Sequence, residues 1–265
     1  MKLLPRILLL CSLSLPVLAE DGFVPLFNGK DLSGWKSIRD EKKKGSGSFS
    51  VDADAKAMHV YKKAKDGEKQ PIDCLYTEKK YSSYILKMEY KWLDRRFPPR
   101  ETADRDAGLL FHVHGDMSKI WPNCLEMQLG ESDATKTKNR YLTGDLWVIG
   151  KDLEAMNSKE GRYFYKPEAP LVSVGKGKGY DYSYATVNVE KDHGEWNEIT
   201  LTVRAGKEAI FELNGQVVNK ISDMTTLEDG KRVPMASGHI ALQAEYAELL
   251  YRNIVIKELV DDKAK

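Results

Sequence analysis

No stretch of this 265-residue chain carries an amphipathic helical pattern of three turns. No Pro/Ser-rich linker divides it, and no internal repeat is visible. A helical bundle, a solenoid and a beads-on-a-string arrangement are thereby set aside. Charge of either sign is not in excess, with 41 Lys and Arg against 40 Asp and Glu, and a phosphate-binding surface would demand a basic stripe. The Lys runs at 42–44 and 62–65 are short, flanked by Asp, Glu and Gly, and read as solvated loops. Cysteine is scarce: there are three, too few for a disulfide scaffold. Catalytic signatures are missing too. There is no Gly-x-Ser-x-Gly elbow, neither Cys74 nor Cys124 has an adjacent histidine, and no His-Glu-x-x-His occurs. Gly175-Lys176-Gly177-Lys178-Gly179 lacks the Ser/Thr and the strand-to-helix context of a phosphate loop and reads as a flexible loop.

What is present begins with a leader. Lys2 and Arg6 precede an apolar run at 7–17, and Val17-Leu18-Ala19 offers a small-residue cleavage site. The expectation is a signal peptide over 1–19, export to the periplasm or the extracellular space, and one domain over 20–265. The apolar run is too short for a permanent membrane span. Loss of Lys2 and Arg6 leaves 39 basic against 40 acidic residues. Cys11 goes with the leader, and an oxidising compartment would permit a bridge between Cys74 and Cys124; the sequence does not say whether they meet.

Alternation dominates the rest. Over 84–92 the even positions are Tyr, Leu, Met, Tyr and Trp while the odd ones are mostly charged, the period of a half-buried strand. Residues 199–203 repeat the pattern, Ala205-Gly206-Lys207 turns, 209–213 run back, and Asn214-Gly215 is a hairpin turn. Further strands are expected near 49–53, 58–61, 75–78, 109–114, 125–129, 145–149, 185–189, 240–245 and 249–259, with one short helical turn at 152–158. Many short strands joined by Gly-bearing turns imply a β-sandwich or jelly roll. Leu26-Phe27-Asn28-Gly29-Lys30-Asp31-Leu32-Ser33-Gly34-Trp35, an apolar pair, two turns and an aromatic, reads as a structural latch.

With Gly22-Phe23-Val24-Pro25 before that latch, Gly194-Glu195-Trp196-Asn197, Leu213-Asn214-Gly215, Gly238-His239-Ile240-Ala241-Leu242-Gln243-Ala244-Glu245 and Tyr251-Arg252-Asn253-Ile254, the chain resembles the bacterial 3-keto-disaccharide hydrolase family. The resemblance runs through nearly all of 20–265. It implies an all-β, concanavalin A-like jelly roll of two curved antiparallel sheets, and carbohydrate substrates whose glucosyl ring carries a ketone at C3. Residues 151–184 depart from a minimal member and read as a loop inserted over one rim.

Alternation then nominates a site, because a strand with one apolar face presents its other face elsewhere. If Leu109, Phe111 and Val113 point inward, His112 and His114 emerge. By the same logic Glu126 and Gln128 emerge between Leu125, Met127 and Leu129; Asp145 and Trp147 flank Leu146; and Gln243 and Glu245 follow Leu242. His114 reads as a strand-end loop residue, and Trp35, Trp92 and Trp196 as packing residues. Glu126, His112 and Glu245 are the catalytic candidates, with Gln128, Asp145, Trp147, Gln243 and Arg252 as substrate-binding candidates. For Arg252 a structural ion pair is the competing reading, and for the polar strand residues an ordinary solvated face; an exposed Trp147 flanked by core positions is harder to explain that way. A 3-keto sugar has an acidic C2 proton, so the C1 oxygen can leave by elimination and water can add to the enone. Glu126 is the expected base, His112 the enolate stabiliser or acid, and Glu245 the second acid/base. A divalent metal held by His112, Glu126 and Asp145 is the alternative electrophile. Glu126-Met127-Gln128-Leu129-Gly130-Glu131 is similar to the Glu-x-Asp-x-x-Glu strand of retaining glucanases, but its central acid is Gln. A lectin-like carbohydrate-binding module remains the non-catalytic alternative, and the oligomeric state is open.

Overall fold

A computed structural model describes residues 22–38, 47–131, 142–160, 164–178 and 181–260. The leader, the Lys run at 42–44 and Gly179 of the glycine-rich loop lie outside the described residues. In chain order the strands are β1 (Val24–Pro25), β2 (Trp35–Ser37), β3 (Phe49–Asp52), β4 (Ala57–Val60), β5 (Asp73–Thr77), β6 (Ser83–Arg96), β7 (Arg105–His114), β8 (Asn123–Glu131), β9 (Leu146–Ile149) and β10 (Glu154–Glu160). They continue with β11 (Phe164–Tyr165), β12 (Leu171–Val174), β13 (Tyr182–Ser183), β14 (Asn197–Arg204), β15 (Glu208–Leu213), β16 (Gln216–Glu228), β17 (Lys231–Pro234), β18 (His239–Ala244) and β19 (Ala247–Glu258).

Twelve strands form one sheet along β11-β10-β16-β15-β14-β6-β19-β4-β3, with β1, β12 and β17 attached to β19, β10 and β16. Seven form the other, β13-β9-β8-β7-β18-β5-β2. The central pairs of both run antiparallel, and the architecture is the expected concanavalin A-like jelly roll. Even positions of β6, Leu86, Met88, Tyr90 and Trp92, meet Leu109, Phe111, Leu125, Met127 and Leu129 of the smaller sheet in one core. Phe111 and Phe211 cross between the sheets edge-to-face at 5.8 Å. Each such side chain contributes about 1.5–3 kcal/mol by leaving water, so the period-two pattern is what fixes which face points out. Asn214 and Gly215 both hold positive φ, 49° and 78°, the mirror-image turn a tight hairpin needs.

The latch works between the sheets. β1 pairs with β19 of the large sheet and β2 with β5 of the small one. Between them, Asn28 Oδ1 accepts from the Lys30 and Asp31 amides at 2.7 and 2.9 Å, and Trp35 Nε1 donates to the Leu26 carbonyl at 2.8 Å.

Three local expectations need correction. Residues 152–158 make no helical turn but enter β10, whose polar Asn157 is buried by bonds with Asn219 and Ser183; tertiary pairing overrides a helix-prone composition. Residues 185–189 are not a strand. The 151–184 region is more than a rim loop, because it contributes β10 and β12 to the large sheet and β13 to the small one. Cys74 and Cys124 are free and buried. They sit on β5 and β8 with β18 and β7 between them, three strand spacings or about 14 Å apart, well beyond bridging range.

Candidate active site

Five of the eight nominated residues converge. Glu126 and Gln128 of β8, Trp147 of β9, and Gln243 with the adjoining Glu245 at the end of β18 line a cleft of about 230 Å³ on the outer face of the seven-stranded sheet. Their neighbours Leu125, Met127, Leu129, Leu146, Val148, Leu242 and Ala244 all point into the core, and that is why these side chains share a face. Asp106, Trp121 and Ile149 complete the lining. Asp106 obeys the same alternation, two positions before Gly108 on β7. Trp121 comes from the loop after β7, where no periodicity announces it.

Gly108 makes the floor possible. It pairs with Gln128 across β7 and β8, and a Cβ built on it would lie 2.0 Å from Glu126 Oε1. Only a residue without a side chain lets the Glu126 carboxyl lie over β7. On one wall Trp147 is propped by Tyr182, ring centroids 4.7 Å apart, and Tyr182 by Tyr184 at 5.0 Å.

Electrostatics distinguish the three acids. Arg100, from the turn before β7, places Nη1 2.6 Å from Asp106 Oδ2 and 2.8 Å from Glu245 Oε1. Gln128 Nε2 donates to Asp106 Oδ1 and to the carbonyls of Ala107 and Leu129, so this amide serves the floor. Glu126 has neither cation nor donor at its carboxyl. Burial, then the nearby charges of Asp106 and Glu245, push it well above the usual carboxylate range. Burial and Asp106 likewise raise Glu245 to about 8 against the pull of Arg100. Asp106 is raised chiefly by burial, with Arg100 and Gln128 opposing. Three carboxyls gathered in a walled cleft, of which one guanidinium contacts only two, disfavour one another's ionisation and titrate as a coupled set. The Gln243 amide is buried with no hydrogen-bond partner at either end, and Trp147 Nε1 is likewise unpaired, so both residues keep hydrogen-bonding capacity beside the cleft.

The remaining three nominees lie elsewhere. His112 adopts φ 49° within a bulge between β7 and β8, and Gly238 packs so closely on its backbone that a Cβ there would come within 2.4 Å. The bulge resets the alternation. Val113 joins Leu110 on the outer side, while His112 Nε2 donates to the Ala205 carbonyl at 2.9 Å and burial lowers its pKa to about 4. Asp145 precedes β9 and is fully buried, accepting from the Ala185 amide at 2.7 Å and the Leu142 amide at 3.1 Å; it fixes the turn. Arg252 belongs to the large sheet, pairs with Glu89 at 2.7 Å and lies 3.7 Å from the centre of the Trp196 ring, the structural ion pair weighed against a binding role. The trio His112, Glu126 and Asp145 therefore does not converge on a metal, and no group of three or more His, Cys, Asp or Glu suited to a metal exists among the described residues. Glu131 pairs with Arg105 and, at 2.8 Å, with His193, so the glucanase-like motif has no second carboxyl in the cleft.

No functionally curated protein matches the chain in sequence. Among solved structures, one from Parabacteroides distasonis described as a "putative glycosyl hydrolase" is similar with 18% identity and a TM-score of 0.53, over 90% of this chain and 94% of that one. A second of the same description and organism gives 18% and 0.52, over 89% and 99%. At this identity the likeness is one of fold. A family model described as the 3-keto-alpha-glucoside-1,2-lyase-like domain matches residues 22–257, and the chain belongs to that family.

Proposed function

We propose that the protein cleaves 3-keto-α-glucosides by elimination across C1 and C2, with hydration of the enone giving net hydrolysis. The observation that carries this reading is the imbalance in the cleft: three carboxyls, one cation, and a different degree of compensation for each. The family's own description, a 1,2-lyase of 3-keto-glucosides, supports the reaction type.

Roles follow from the contacts. Asp106 has both oxygens engaged, by Gln128 and Arg100. Glu245 is held through Oε1 alone, which leaves Oε2 to take the C2 proton. Glu126, whose burial favours the protonated form, donates its proton toward the C3 oxygen as negative charge develops there, as an apolar site permits a carboxylic acid to do. This exchanges the base role expected of Glu126 with Glu245, and gives Glu126 the enolate-stabilising role that buried His112 does not fill. The C1–O bond then breaks with its electron pair going to the aglycone oxygen, which is protonated by solvent at the cleft mouth. Trp121 and Trp147 flank the ring. At about 230 Å³ the cleft is below drug-sized pockets of roughly 300–1,000 Å³ and suits one pyranose, with the aglycone outside. Export, read from residues 1–19, belongs to the same proposal.

Purified protein incubated with methyl 3-keto-α-glucoside should release methanol, increasingly as pH rises toward 8 and Glu245 loses its proton, and should leave the 3-hydroxy parent intact. Binding of the keto sugar without release would favour the lectin-like reading instead, for which Trp121, Trp147 and Gln243 suffice.

A further inference from the structure

Arg100 bonds two of the carboxyls that line the cleft, neither alternation nor a motif announces it, and its geometry is specific. It projects from a turn pinned on both sides: Phe97 N donates to the Tyr246 carbonyl at 2.8 Å, Arg100 N to the Phe97 carbonyl at 2.9 Å, and Arg96 Nη1 to the Ala103 carbonyl at 2.7 Å. From there a single nitrogen, Nη1, contacts both Asp106 Oδ2 and Glu245 Oε1, while Glu126 has no cation. The groups facing Glu245 are Asp106 from β7, Glu126 from β8, Arg100, and the neutral Tyr61 and Cys74.

We propose that Arg100 is a positioning residue that clamps Glu245 by one oxygen, aims the other at the substrate, and sets the pH at which the acid trio becomes competent. This rests on the elimination reading above, in which Glu245 is the base. A cation within hydrogen-bond reach favours the charged carboxylate and lowers its pKa. Its removal raises the pKa values of Glu245 and Asp106 together, so the base form is reached only at higher pH.

The test compares Arg100→Met and Arg100→Lys with the parent protein. One readout is the pH profile of keto-glycoside cleavage, and the other is carboxyl titration by NMR on protein carrying ¹³C-labelled Glu and Asp, which needs no turnover. For Arg100→Met the rising limb and the matching carboxyl titration should both move up by about 1–3 pH units, with kcat reduced more than KM is raised. Arg100→Lys, which keeps the charge, should restore the limb toward its parental position. A merely structural arginine would lower activity equally at every pH and leave the titration where it was, and that result overturns the proposal. If the parent protein fails to cleave the sugar, the reaction assignment falls, while the NMR shift still decides whether Arg100 controls the trio.

Discussion

Glu248 and Glu126 are both buried carboxylates on β-sheets of the same molecule, yet they titrate in opposite directions. Glu248, on the large sheet, receives Arg95 Nε at 2.8 Å and Nη2 at 2.6 Å, and His59 Nε2 at 2.8 Å. Burial alone would raise it, but Arg95 and then His59 overcome that and hold it at about 2. Its neighbour Asp52 is likewise pulled far down, first by Lys62 and also by His59. Glu126 is as little exposed, lies deeper in the protein and has none of these partners, and it is pushed up. The difference lies in counter-charge and in depth. The same fold compensates one buried acid fully and leaves another uncompensated in a cleft lined by two tryptophans and two further carboxyls, and perturbed acids gathered in a cleft are candidates for function.

Neutral isosteres should break this contrast most sharply. Glu248→Gln removes the charge that Arg95 and His59 answer, and should cost about 3 kcal/mol, the low end for a buried pair because Arg95 is partly solvated; cleavage per folded molecule should not change. Glu126→Gln should leave the denaturant midpoint nearly where it was and lower kcat by about 10²-fold, the low end for loss of a positioned general acid, because the Gln amide still hydrogen-bonds to the C3 oxygen but has no acidic proton to pass to it. Equal stability losses in the two variants would erase the distinction. A finer probe is Gly108→Ala. Its Cβ meets the Glu126 carboxyl, so the carboxyl must shift, with about 1–3 kcal/mol of overpacking and up to about 10²-fold in kcat from misplacement. Parental kinetics in this variant would show that the position of Glu126 is immaterial.

Alternation made much of the site legible. Glu126, Gln128, Trp147, Gln243 and Glu245 were placed on one face because apolar partners at every second position left them no other, and the bulky core residues around them made the pattern plain. It failed where the backbone departs from a regular pleat or where loops contribute. At His112 a positive φ inside a bulge changes the phase by one residue, and nothing in Leu110-Phe111-His112-Val113 reveals that. Asp145 sits one residue before its strand and turns to serve two backbone amides. Arg252 alternates correctly but on the other sheet, a distinction only tertiary pairing makes. Arg100 and Trp121 come from loops, where period carries no information. β10 was hidden because its buried positions include Asn157 and Lys159, so burial and hydropathy do not coincide there.

The central claim is that Glu245 removes the C2 proton before the glycosidic bond breaks. Cleavage of methyl 3-keto-α-glucoside deuterated at C2, compared with the unlabelled sugar under single-turnover conditions, tests it most directly. The account predicts a primary isotope effect on methanol release in the parent protein and loss of release in Glu245→Gln. Release at an undiminished rate from the deuterated sugar, with Glu245→Gln still active, would contradict it.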